Sequence, residues 1–78
     1  MIAVTQMDTE KQQIANDVQA ALSHYDVVGY VTGADCTAII LSFRTPAQRA
    51  AAVITLQDAG YKTRILLMGR LRVWPDRY

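Results

Sequence analysis

A single cysteine and a single histidine leave this chain with little of the equipment that catalysis and metal binding require. Cys36 alone excludes an intramolecular disulfide and any multi-cysteine zinc site. His24 alone argues against a transition-metal centre, and no acidic pair has metal-ligand spacing. To serve as base and nucleophile, these two residues would have to meet within hydrogen-bond reach. The sequence instead puts His24 near a helix C-terminus, where an imidazolium suits the dipole, and Cys36 in a turn. The glycines are isolated at Gly29, Gly33, Gly60 and Gly69, so there is no phosphate-cradling loop. No apolar run approaches the roughly 18 residues a membrane span needs, and no basic flank precedes an apolar segment at the start of the chain. The expectation is a non-enzymatic protein with no cofactor, no metal and no membrane partner, located in the cytoplasm.

What is present is mostly apolar. Hydrophobic residues make up 51% of the chain and charged ones 19%, which places it outside the disordered class. Residues 1–78 read as one α+β domain, without repeats, low-complexity tracts or a linker. A core of this size stabilises by only about 3–5 kcal/mol, so support from a partner or a second copy would be no surprise. The net charge of +1 conceals a division. Residues 1–60 hold three cations against six anions, a net −3, whereas residues 61–78 hold Lys62, Arg64, Arg70, Arg72 and Arg77 against Asp76, a net +4. A cationic C-terminal quarter therefore sits on a mildly acidic body.

Two helices and several strands follow from local signals. Thr9 and Gln12 have capping-box spacing, and Ile14, Val18, Ala21, Leu22 and Tyr25 form an apolar stripe, which predicts a helix over about 10–24. Residues 26–32 and 37–43 are β-branched and aromatic-rich, and residues 33–36 supply a turn between them, so a hairpin is expected. Thr45, Pro46 and Gln48 mark a second helix start, and Gly60 marks its end. That helix is rich in alanine, with Val53, Ile54 and Leu56 suited to close packing on a sheet. The run Tyr61 to Trp74 is either one long strand or a hairpin around Met68, Gly69 and Arg70. Ile2 to Val4 is a further short strand candidate. The order (β)αββαβ implies a two-layer sandwich: an antiparallel sheet with both helices on one face. A strand at Ile2 to Val4 would make the topology ferredoxin-like.

The functional expectation rests on residue parity. Along 61–74 the odd positions are mostly apolar, while the even ones (Lys62, Arg64, Leu66, Met68, Arg70, Arg72, Trp74) mix cations, flexible apolar groups and an indole. Side chains alternate across a strand, so the even set would face away from the core. If Thr32 pairs with Thr37, then Val27, Val31, Ala38, Ile40 and Ser42 share that free face, an apolar area that marks an interface. The competing expectation is that the last strand folds over and covers it, or that the register lies one residue away, which exchanges the faces.

The segment AIILSFRTPAQRAAAVITLQDAGYKTRIL, residues 38–66, resembles the strand, helix and strand of SPOR-type peptidoglycan-binding domains. Leu41, Ser42 and Phe43 stand where that family carries Gly-Pro-Phe or Gly-Ser-Phe. The resemblance implies a glycan-binding sheet. The residues themselves favour a small protein-binding module of the inhibitor or adaptor kind found in phages and mobile elements. It would act on a protein with an acidic surface, or as a homodimer, through Arg64, Leu66, Met68, Arg70, Arg72 and Trp74. The alternative is single-stranded nucleic acid held by these cations with Trp74 and Tyr78, against which stand the small total charge and the absence of aromatics at Ala38, Ile40 and Ser42.

Overall fold

Helix starts and stops follow the local chemistry closely. The computed structural model describes residues 9–35 and 37–76. Helix α1 spans Thr9–His24, and its inward stripe of Ile14, Ala15, Val18 and Leu22 is buried. It ends in a Schellman motif: the Asp26 N–H donates to the Ser23 carbonyl, the Val27 N–H donates to the Leu22 carbonyl (2.9 Å), and Asp26 holds φ 58°. Val27 is then buried in the core.

The capped end explains why the next strand starts later than the expected residue 26. Asp26 is left-handed, and the two residues after Val27 bond to helix side chains instead of to a neighbouring strand. The Val28 N–H donates to Gln48 Oε1 at 3.0 Å, and Gln19 Nε2 donates to the Gly29 carbonyl at 3.3 Å. Strand β1 spans Tyr30–Ala34 and β2 spans Ile39–Ser42. Asp35 makes the turn: its Oδ1 accepts from the N–H groups of Thr37 and Ala38, both at 3.0 Å, and its own N–H donates to the Ala38 carbonyl. The turn thus lies two residues beyond the expected 33–36.

Helix α2 spans Pro46–Asp58. Thr45 Oγ1 accepts from the Gln48 N–H at 3.2 Å, a cap whose loss would cost about 1 kcal/mol. Pro46 occupies the first turn, where its missing N–H is harmless. Beyond the helix, Gly60 takes φ 94°. Ala52 and Leu56 are buried, Val53 packs partly against the core, and Ile54 points outward.

The last segment is a hairpin: β3 spans Tyr61–Ile65, a short 3₁₀ turn spans Leu67–Gly69, and β4 spans Leu71–Pro75. The sheet order is β1-β2-β4-β3, antiparallel at every pair. Strand β4 therefore fills the slot between β2 and β3, the position an N-terminal strand holds in a ferredoxin-like sheet. The candidate strand Ile2 to Val4 lies outside the described residues. Helix α1 lies over β2 and α2 over β3, so both helices cover one face and the domain is a two-layer α+β sandwich. Between the layers, Val18, Leu22, Ile39, Leu41, Leu56, Leu71 and Val73 are fully buried.

Candidate functional site

The uncovered face is not the apolar area expected from parity. Tyr30 pairs with Ser42 and Val31 with Leu41, and a bulge then sets Gly33 opposite Ile40. Val31 consequently joins the core with Val27, and Tyr30 and Thr32 take the free face, where Thr32 Oγ1 lies 3.3 Å from Ser42 Oγ. The β1 register lies three residues from the expected one, an odd shift that exchanges its faces: Tyr30 stands opposite Ser42 where the expected pairing put it opposite Ile39, and the β2 parity stands. With a period of two, that shift replaces two valines by a tyrosine and a threonine.

Pairing fixes the rest of the face. Ile40, Arg72 and Arg64 form one row across β2, β4 and β3, and Trp74 and Lys62 form the next. Ala38 is fully buried yet stands apart from the main core cluster. Continuing the register one step sets it opposite Trp74. Arg72 is the hub: Nε donates to Asp35 Oδ2 at 2.6 Å, Nη2 donates to Asp35 Oδ1 at 3.3 Å and to Thr37 Oγ1 at 3.0 Å, and the guanidinium lies 4.7 Å from the Trp74 ring centroid. These bonds tie the β1–β2 turn to β4. The Arg72 hydrogen bond, opposed by desolvation and aided by the Thr37 amide, holds the Asp35 carboxyl below its ordinary range. Arg44 stacks on Tyr30 at 5.8 Å, and Lys62 meets Asp76 at 3.3 Å in an exposed pair worth at most about 1 kcal/mol. Arg64 faces Arg72 and has no ion-pair partner among the described residues.

The six residues singled out by parity thus fall into two groups. Arg64, Arg72 and Trp74 lie on the free face. Leu66, Met68 and Arg70 belong to the hairpin turn, where strand alternation no longer applies: the Leu66 N–H donates to the Arg70 carbonyl at 2.7 Å, and Met68 (φ 63°) and Gly69 (φ 73°) are both left-handed. At this tip Leu67 is 84% exposed, Met68 94% and Ile65 60%. Arg70 and Arg64 flank it, and Arg49 Nη1 of α2 reaches the Gly69 carbonyl at 3.4 Å. Leu67, Tyr30, Arg44 and Asp35 were not foreseen as site residues. For Asp35 a signal existed, since an aspartate followed by a polar turn is the usual acceptor for amides two and three residues on.

His24 closes α1 and meets the Tyr25 ring edge-on at 4.8 Å, while Cys36 lies outside the described residues. Among the described residues no three His, Cys, Asp or Glu side chains group to hold a metal ion, and no helix is long and apolar enough to cross a membrane. The class defined by this geometry is a small two-layer α+β domain with a polar, aromatic and cationic sheet face and an apolar hairpin tip. No family model, curated protein or solved structure matches the chain.

Proposed function

We propose that this chain is a protein-docking module, of the inhibitor or adaptor kind, that inserts the β3–β4 hairpin tip into an acidic-rimmed recess of its partner. The observation that carries the reading is the tip itself: two adjacent large apolar side chains, Leu67 and Met68, stand almost wholly in solvent. Apolar groups gathered in this way mark contact surfaces, and flexible methionine suits a recess of imperfect shape. Arg64 and Arg70 beside it would orient an acidic partner and speed encounter. Leu67→Asp with Met68→Asp should abolish retention of a partner from lysate of the encoding cells on immobilised protein, with the circular-dichroism spectrum unchanged. Equal retention by wild type and this variant would refute the tip as the docking element.

A second reading has its own observation. Tyr30 under Arg44 and Trp74 under Arg72 give an open antiparallel sheet two aromatic platforms beside cations, the combination used to stack and track single strands. Fluorescence anisotropy of a labelled oligonucleotide separates the two. Binding that falls steeply with salt and is lost in Trp74→Ala supports this second reading, and binding that is absent at low salt dismisses it.

A further inference from the structure

A second surface of the molecule is the counterpart of the tip. Tyr25, Ile54, Thr55, Asp58 and Ala59 line an open groove of about 270 Å³ between the end of α1 and the last turns of α2. Tyr25 is 65% exposed and Ile54 64%, although both belonged to the expected inward stripes. Charge is segregated in the same sense. Asp58 is the one charged residue that lines the groove, and it is an anion. The tip, in contrast, is flanked by Arg49, Arg64 and Arg70. The two surfaces lie at opposite ends of α2: Arg49 in its first turns reaches the tip, and Asp58 at its end lines the groove. A chain cannot fill its own groove, but the next chain can.

We infer that the occupant of the groove is the hairpin tip of a second copy, so that the protein associates head to tail. This rests on the docking reading above and names the partner of the same tip. Leu67 and Met68 would seat against Tyr25 and Ile54, with Arg70 or Arg64 facing Asp58. Such a contact is heterologous: each copy keeps one free tip and one free groove, and growth continues until a ring closes or a filament forms. An interface this small is weak, so association is expected at roughly 10 µM to 1 mM.

The test is complementation between two surface variants, Met68→Asp and Ile54→Asp, at positions open enough for both to fold. By analytical ultracentrifugation the wild-type mass should rise with concentration beyond that of a dimer. Each variant alone should remain monomeric, because its copies lack either the tip or the groove. Mixed in equal amounts, they should form a dimer and stop there, since one intact tip meets one intact groove. Association of the wild type with no pairing in the mixture would overturn the head-to-tail geometry. A wild type monomeric at every concentration would overturn self-association altogether. If the same monomeric wild type retains a lysate protein that Met68→Asp does not, the docking reading stands and only this inference falls.

Discussion

At Met68 backbone stability and the proposed docking role pull in opposite directions. A non-glycine side chain at φ 63° costs about 1 kcal/mol, and here the side chain gains no burial in return. Asparagine tolerates this conformation through local hydrogen bonding, so Met68→Asn should raise the urea midpoint by the equivalent of roughly 0.5–1 kcal/mol. It should also weaken docking, because the apolar knob is gone. A midpoint at or below that of wild type would show that the tip is not strained. In the proposed docking role the apolar side chain is used only in the contact, so the two effects should separate in this variant. Gly69 beside it has less freedom to change, since at φ 73° any substituted side chain is strained whatever the space around it.

At the scale of elements, the β1–β2 turn is fastened by Asp35 from two sides: to the turn amides of Thr37 and Ala38, and to Arg72 on β4. The Asp35 carboxyl is held below its ordinary value, so its folded pKa lies under its unfolded one. Its contribution is therefore present above about pH 4 and is lost as the pH falls through the folded value. Asp35→Asn keeps an acceptor for the amides and removes the charge. The variant should be less stable than wild type near neutrality, with the difference closing in acid, as followed by thermal melts over about pH 7 to about pH 2.5. Parallel curves would mean that the ion pair contributes nothing. Arg72 is consequently a fastening residue first, which leaves Arg64 as the cation on this face with no such duty.

At the scale of the molecule the margin is small. A domain of 78 residues has roughly 4–12 kcal/mol of stability in total. Leu71 sits at the crossing of β2, β4 and β3, paired with Leu41 and Ile65, and is fully buried. Leu71→Ala should cost about 2–5 kcal/mol and leave the fold marginal or lost by urea titration. A cost below about 1 kcal/mol would contradict the central position of β4 in the sheet. Three arginines at the tip and Asp58 at the groove add little to the stability of such a fold; in the proposed head-to-tail contact they would orient one copy on the next.

Much of this molecule was legible along the chain because it depends on near neighbours. Thr45, Pro46 and Gln48 announce α2, and the sharing of one face by Ala38, Ile40 and Ser42 follows from strand alternation. The charge division is a count. The candidate site was only half legible. Arg64, Arg72 and Trp74 do share a face, but Leu66, Met68 and Arg70 were separated from it once the segment turned at Leu67–Gly69, a choice parity cannot make because a three-residue loop preserves it. Tertiary structure alone decided that β4 lies between β2 and β3, that Asp35 moved the turn and the bulge exchanged Val31 for Tyr30 on the open face, and that Tyr25 and Ile54 line a groove. Each of these depends on contacts between residues far apart in sequence. In a two-residue period a shift of one position reverses every side chain, so local composition fixes what a strand offers but not which side it offers it to.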